Sequence, residues 1–199
     1  MNTVDDLNKI NDFLLDEPQE EYTFVALKPN ATDLIAAQVV IQILAENNFE
    51  VAYCRPVRYD AYRVMLHYKE IYDNYCDDPT GKFKFYPELE AYLTSGPIFG
   101  MIIKGENAVA EVKKLCGATS NPAPGTMRHE LFRVLNKPYD SSMNGIHASG
   151  KVDEAKREID NFINAYLETL KTNDEATKRL YPLEKFVEGY QSAETTNFD

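Results

Sequence analysis

The chain has 199 residues, of which 44% are hydrophobic and 27% are charged, and its formal net charge is −11. This length accommodates one domain with extensions, and this composition is typical of a packed core with a solvated surface. The acidic charge argues against nucleic acid or an anionic membrane as the main partner, because both require a basic footprint. A nucleotide remains compatible with it, since local cations dominate a pocket when the Debye length is about 8 Å.

The sequence indicates neither a membrane span nor a disulfide framework. No run reaches the roughly 20 apolar residues that cross a bilayer. Residues 1–21 are acidic and lack the basic start of a signal peptide. Cys54, Cys76 and Cys116 are odd in number and far apart. This spacing is typical of free thiols in a reducing compartment, so we predict a cytoplasmic protein.

The first quarter of the chain predicts a leader, a strand, a helix and a second strand. Residues 1–21 form an acidic leader with one amphipathic piece. The first strand is predicted at Thr23–Lys28, where an unbroken apolar run indicates burial on both faces. Thr32 is the expected N-cap of a helix that reaches about Asn47. A second strand fits Phe49–Tyr59, where apolar side chains stand among polar ones.

The middle of the chain predicts short helices before a third buried strand. Asp60 begins a helix, and the polar stretch Asp73–Lys84 indicates a loop. Pro87 opens another short helix, which ends at the turn of residues 95–97. The third strand, over residues 97–105, is again apolar on both faces.

The last part predicts a helix, a loop, a short strand and a long helix. The helix Glu106–Leu115 ends at Gly117, and a loop with two prolines follows. A short strand is predicted around Gly145–Ala148. Ser149 is then expected to cap the long helix KVDEAKREIDNFINAYLETL, which has one apolar face.

This order of elements predicts an α/β sandwich of the ferredoxin-like βαββαβ type. Helices are expected to cover one face of a four-stranded antiparallel sheet, with extra helices added. We predict an N-terminal extension at residues 1–21, a folded domain at 22–171, and a C-terminal segment and tail at 172–199. That last segment contains LYPLEKFVEGY, which could pack on the domain.

The strongest local signal for chemistry is the segment NGIHASGKVDEAKREI. Its His147 leaves a short strand before a helix, and a neutral imidazole, with an ordinary pKa of about 6.5, is a competent nucleophile. A phosphoryl group on this ring would meet the N–H groups at a helix start. Glu158 could hold one ring nitrogen and leave the other free to attack. From these residues alone, a packing histidine and a solvated glutamate remain the alternative.

Two further groups of residues suit a nucleotide. Cations and a hydroxyl group suit phosphate oxygens. An exposed aromatic side chain, here with a leucine one helical turn on, can stack on a base of any identity. These residues are Lys28, Lys113, Thr119, Arg128, Tyr68, Phe85 and Leu89. Taken singly, each of the cations is more typical of a solvated surface, and the aromatic residues are more typical of a core.

Taken together, these segments resemble the nucleoside diphosphate kinase family. The matching segments run in family order and cover nearly all of residues 22–163. They are TFVALKPNATD, HYKEIYD, FYPELEAYLTSGPIFGMIIKGENAV, KKLCGATSNPAPGTMRHELF and NGIHASGKVDEAKREI. The SGP turn, the GAT-to-PGTxR stretch and NxIHxS are rarely found together elsewhere, so the joint signal is specific.

The resemblance implies a kinase that transfers the terminal phosphate of a nucleoside triphosphate to a nucleoside diphosphate by a ping-pong mechanism. It implies that His147 carries the phosphate, that Glu158 orients it, and that Tyr68 lies beside the transferred group. The resemblance implies that Lys28 is catalytic and, together with Asn144, contacts the sugar hydroxyls and the nearby phosphate. It implies that Lys113, Thr119 and Arg128 bind the phosphate chain. It also implies that Phe85 and Leu89 line the slot for the base. Mg²⁺ would arrive with the nucleotide, without a metal site held by the protein.

The resemblance also implies a homo-oligomer, with a hexamer favoured over a tetramer or dimer. Two substitutions depart from the family pattern. Lys113 stands where the family usually has arginine, and Gly150 replaces a common acidic residue.

Three other functions are weaker interpretations. One is a catalytically weak relative with a binding or regulatory role, which the retained His147 opposes. Another is a nucleic-acid-binding sheet, which the acidic charge opposes. A metal site built from His67, His129 and His147 has no ligand spacing to support it.

Overall fold

A computed structural model describes residues 21–172 and 174–195, so the amphipathic piece predicted in the leader lies outside the described residues. Four strands form one antiparallel sheet in the spatial order β2-β3-β1-β4. They are β1 (Glu21–Leu27), β2 (Glu50–Val57), β3 (Ile98–Gly105) and β4 (Ile146–Ala148). The short β4 therefore lies at one edge of the sheet, beside the central β1.

Helices fill every connection between the strands, and further helices follow β4. They are α1 (Leu34–Glu46), α2 (Ala61–His67), α3 (Lys69–Asp77), α4 (Tyr86–Thr94), α5 (Ala108–Cys116), α6 (Met127–Val134), α7 (Val152–Thr169), α8 (Glu175–Lys178) and α9 (Tyr181–Thr195), with a short 3-10 turn at Pro29–Ala31. The strand order and the helical connections confirm the predicted ferredoxin-like α/β class.

The sheet has a hydrophobic core on each of its faces. Along β1, Val25 and Leu27 point into one core and Phe24 and Ala26 into the other. Helices α1, α5, α6 and α9 pack on the first face, and α2, α4 and α7 pack on the second. The expectation that helices cover one face only was therefore wrong, although burial of the first strand on both faces is confirmed.

Two predicted boundaries were wrong. The N-cap of α1 is Asp33 and not Thr32, because the Asp33 carboxylate accepts the N–H of Ile35 at 2.9 Å while the Thr32 hydroxyl donates to the Pro29 carbonyl. The stretch predicted as a loop, Asp73–Lys84, begins inside α3. Packing against the ring of Tyr86 stabilises this helix. The rings of Tyr72 and Tyr75 lie 5.1 and 5.5 Å from it, measured between ring centroids.

The C-terminal helix α9 packs on the domain and covers the outer strand β2. Leu183 and Val187 belong to the first core, while Glu184 and Glu188 lie 3.4 and 3.1 Å from the guanidinium of Arg55. That guanidinium also lies over the ring of Tyr53, 4.5 Å from its centroid. Covering an edge strand with a helix keeps its free backbone groups from pairing with another chain. Among the described residues, no helix is long and apolar enough to cross a membrane.

Gly100 allows the long helix α7 to lie close to the sheet. A Cβ atom built on Gly100 would lie 2.4 Å from the Phe162 ring of α7. The Phe162 side chain is fully buried, so its ring has no free space into which to move.

We expect Gly100→Ala to lower the free energy of unfolding by about 2 kcal/mol, because the added methyl group overpacks this contact. Gly189→Ala in α9 is the matched control, since a Cβ there meets nothing within 4 Å and alanine favours a helix by about 1 kcal/mol. Urea unfolding of both variants measures the difference. Equal stabilities of Gly100→Ala and the unsubstituted protein would contradict the close packing.

Candidate active site

All ten residues predicted for the site line one cleft, whose volume is about 920 Å³. They are Lys28, Tyr68, Phe85, Leu89, Lys113, Thr119, Arg128, Asn144, His147 and Glu158. They come from β4, α4, α5, α6, α7 and the segments between elements, with Lys28 directly after β1. A cleft of this size suits a small organic ligand.

The backbone around Gly145 holds His147 at the edge of the sheet. Gly145 adopts φ +70°, and its carbonyl accepts the N–H of Lys28 at 2.8 Å. A Cβ atom at Gly145 would lie 2.8 Å from the Leu131 side chain, so glycine suits this position in both conformation and space. The next residues form β4, where His147 stands opposite Ala26.

The imidazole of His147 has one nitrogen bound and the other near the cleft. Its Nε2 lies 2.8 Å from Oε2 of Glu158, and its Nδ1 lies 3.4 Å from the hydroxyl of Tyr68. The Glu158 side chain is only 3% exposed and that of His147 is 12% exposed. A carboxylate accepts hydrogen bonds only, so the shared proton belongs on Nε2 and the lone pair lies on Nδ1.

The prediction that Ser149 caps the long helix was wrong. The N-cap of α7 is Lys151, and the buried Ser149 hydroxyl donates to Oε2 of Glu158 at 2.6 Å. The predicted anion site at the helix start is also altered, because the N–H of Gly150 donates to the Glu154 carboxylate at 3.0 Å. An anion in this cleft would therefore meet side-chain cations rather than a free helix start.

Three cations surround His147 without a carboxylate partner of their own among the residues that the structure describes. The ammonium of Lys28 donates to the Asn144 side chain at 2.9 Å. The guanidinium of Arg128 donates to the Asn144 carbonyl at 2.8 Å, and Lys113 donates to the Ala148 carbonyl at 2.5 Å. Neutral acceptors fix the positions of these cations and leave their charges available to an anion.

Burial and these cations shift the ionisation of the site. Burial, and then the charges of Lys28, Lys113 and Arg128, lower the pKa of His147 well below its ordinary value. Burial and then Arg128 lower the pKa of Lys28 to about 7. Burial, with the nearby Glu158, raises the pKa of Tyr68 well above its ordinary value, so its phenol remains a hydrogen-bond donor.

The other end of the cleft is more exposed to solvent. Phe85 is 41% exposed there, with Leu89 one helical turn further along α4. Residues 140–143 line the same cleft, and Asn144 donates to the Ser141 carbonyl at 3.1 Å. An exposed aromatic face between such walls suits a flat ring.

Comparisons with known proteins agree with this geometry. The family model described as "Nucleoside diphosphate kinase" matches residues 21–166. The chain belongs to the nucleoside diphosphate kinase family. The nucleoside diphosphate kinase of Methanocaldococcus jannaschii is 35% identical over 143 residues, which are 70% of this chain and 91% of that protein. That of Methanococcus maripaludis is 36% identical over 144 residues, which are 71% of this chain and 97% of that protein.

A solved structure of the family is also similar. The halophilic nucleoside diphosphate kinase from Halobacterium salinarum, in complex with CDP, has a TM-score of 0.57 and 28% sequence identity. The similarity covers 79% of this chain and 90% of that chain. The family's sheet and helices therefore account for most of this molecule, and α9 lies beyond the residues that the family model matches.

The sequence did not assign a role in this site to several other residues of the cleft, among them His67 and Tyr92. His67 precedes Tyr68 at the end of α2, and Tyr92 donates a short hydrogen bond to the Asn30 side chain. Neither stands out in sequence among 3 histidines and 13 tyrosines. His129 contacts Glu130 instead, so the three histidines do not form one metal site.

The structure does bring His67, His147 and Glu158 together, with donor atoms within 4.8 Å of one another. This set fits a resident cation poorly. The Nε2 of His147 is already hydrogen-bonded to Glu158, and a metal ligand must give up that proton. The three neighbouring cations would also repel a divalent ion.

We expect the His147 ring to stay neutral at pH values well below its ordinary pKa of about 6.5, because burial and the nearby cations disfavour the charged form. The unfolded histidine gains a proton below about pH 6.5 while the folded one does not, so this group lowers the stability of the fold as the pH falls below about 6.5. NMR titration of the His147 Cε1–H resonance between pH 8 and 5.5 measures it. A titration midpoint near the ordinary value would contradict the lowered pKa.

Proposed function

We propose that this chain transfers the terminal phosphate of a nucleoside triphosphate to a nucleoside diphosphate, and that His147 carries the phosphate between the two. Membership of the family supports the reaction. One observation supports the choice of residue: Glu158 holds Nε2 of His147, which leaves Nδ1 as the nucleophile beside three cations. A binding protein would not need a histidine held in this way.

In the first half-reaction, the Nδ1 lone pair of His147 attacks the terminal phosphorus. The bond from that phosphorus to the bridging oxygen breaks, and the nucleoside diphosphate leaves with the electron pair. The ring gains positive charge as the N–P bond forms, and the Glu158 carboxylate at 2.8 Å from Nε2 stabilises that charge. In the second half-reaction, a terminal oxygen of the acceptor diphosphate attacks the phosphorus. The bond from Nδ1 to that phosphorus breaks and its electron pair returns to Nδ1, so His147 becomes neutral again.

The remaining residues would position and neutralise the phosphates. Lys113, Thr119 and Arg128 would bind the phosphate chain, and Lys28 with Asn144 would contact the sugar hydroxyls and the nearest phosphate. Tyr68 would donate to the group in transfer, because its hydroxyl already lies 3.4 Å from the attacking Nδ1. Phosphoryl transfer depends mostly on such positioning and charge neutralisation.

The open end of the cleft would hold the base. Phe85 would stack on it and Leu89 would line the same slot, which favours broad use of bases because any base has a π-face. Mg²⁺ would enter as part of the nucleotide substrate, bound by phosphates and water.

We also infer a homo-oligomer in the cytoplasm, with a hexamer favoured. The two-proline loop, residues 119–125, is largely exposed and available to another copy. Cys54, Cys76 and Cys116 are free thiols, as a reducing compartment allows. We also propose that the chain consists of an N-terminal extension at residues 1–21, a folded domain at 22–171 and a C-terminal segment at 172–199. Light scattering at micromolar concentration tests the assembly, and a monomer would refute it.

The proposal predicts a phosphoenzyme on His147. Incubation with γ-³²P-labelled ATP and Mg²⁺, without acceptor, should label the protein with a bond that acid cleaves and alkali does not. His147→Ala should abolish both label and turnover yet keep nucleotide binding, which calorimetry can measure, since Lys28, Arg128 and Phe85 remain. Glu158→Gln should slow labelling about 100-fold, because the carboxylate charge is lost.

Ser149 provides the control for the labelled atom. Its hydroxyl contacts the Glu158 carboxylate, which could act as a base, but the residue is fully buried. Ser149→Ala should therefore still take up the label. Full turnover by His147→Ala, or loss of the label only in Ser149→Ala, would overturn the assignment.

A further inference from the structure

His67 lies behind the reacting histidine and has no part in the mechanism above. Its side chain is 3% exposed. Its ring packs against the rings of Tyr68 and His147 at centroid distances of 4.7 and 4.5 Å, and Phe24 and Tyr59 complete the enclosure at 5.6 Å each. Burial of a polar ring among aromatic side chains costs free energy unless its nitrogens have polar partners.

The position of the single proton on the His67 ring follows from its neighbours. Burial is the main reason why the pKa of His67 falls to about 3, so the ring is neutral and has one N–H group. Among the described residues, Nδ1 has no hydrogen-bond partner, while Nε2 lies 3.7 Å from Oε1 of Glu158. The proton therefore belongs on Nε2, where it faces a carboxylate.

Both oxygens of the Glu158 carboxylate therefore face hydrogen-bond donors. Oε2 accepts from His147 and Ser149, at 2.8 and 2.6 Å. Oε1 faces the N–H group of His67, at a distance longer than a full hydrogen bond. Such contacts commonly tighten when charge develops during the reaction.

We propose that His67 is a positioning residue, which holds the Glu158 carboxylate through a neutral Nε2–H group and so keeps Nδ1 of His147 aligned for transfer. This inference rests on the proposed function. A lysine or arginine at this place would also hold the carboxylate, but its charge would compete with the developing charge on His147. A neutral donor orients Glu158 without neutralising it.

The test compares His67→Gln, whose side-chain amide keeps an N–H donor, with His67→Met, which has similar length and no donor. His129→Gln is the matched control outside the cleft. Rapid-quench single turnover with ATP and Mg²⁺ measures phosphoenzyme formation, and steady-state kinetics measure KM. We expect His67→Met to slow formation about 10- to 100-fold with KM nearly unchanged, as for other lost orienting partners. His67→Gln should remain within about threefold of the unsubstituted protein, a far smaller loss than removal of an orienting partner causes.

Several outcomes would overturn the inference. Unchanged phosphoenzyme formation in His67→Met would do so, and equal slowing in the glutamine and methionine variants would make His67 a packing residue only. Failure of the unsubstituted protein to form a phosphoenzyme would instead reject the proposed function. Should His67→Met fail to fold, ¹⁵N NMR of the unsubstituted protein decides: we expect the ring proton of His67 on Nε2, and a proton on Nδ1 would overturn the inference.

Discussion

The Glu158 carboxylate is buried in the protein interior, and the geometry of the cleft depends on where it lies. A buried carboxylate is costly unless it is hydrogen-bonded, and here it accepts from His147 and Ser149. Its position is set by α7, in which Phe162 follows one helical turn later and packs 5.2 Å from the ring of Phe24. The close approach at Gly100 thus connects the packing of the sheet to the orientation of the His147 imidazole.

The charges of the cleft are arranged differently from those of the surrounding surface. Elsewhere, arginines have acidic partners, as in the contacts of Arg58 with Asp174 and of Arg63 with Glu168. In the cleft, Lys28, Lys113 and Arg128 contact an amide and backbone carbonyls instead. A chain with a net charge of −11 therefore keeps three cations beside His147 whose charges are available to an anion within a few ångströms, while charges beyond about 8 Å are screened.

Most of the sheet could be predicted from the sequence because its signals are local. The apolar run at the first strand and the order of the elements fix β1 and the fold class. The helix α3 was missed because its apolar residues stand among acidic ones, and only the distant Tyr86 explains why they form a helix. Tertiary packing overrides local polarity there.

The sequence predicted ten residues that line one cleft, but it did not predict all of their contacts. Ser149 before a helix has the local pattern of a cap, yet its hydroxyl turns inward to Glu158, nine residues further along the chain. His67 has no local pattern at all, and its proximity to Glu158 arises only when α2 packs on α7. Contacts across elements are set by packing, which one sequence does not reveal.

The central claim is that Glu158 selects which nitrogen of His147 reacts. The most direct measurement is the position of the phosphate on the ring, obtained from ³¹P and ¹⁵N NMR of the phosphoenzyme kept at alkaline pH. Because Nε2 is bound to Glu158 at 2.8 Å, the account predicts phosphate on Nδ1 alone. Phosphate on Nε2 would contradict it.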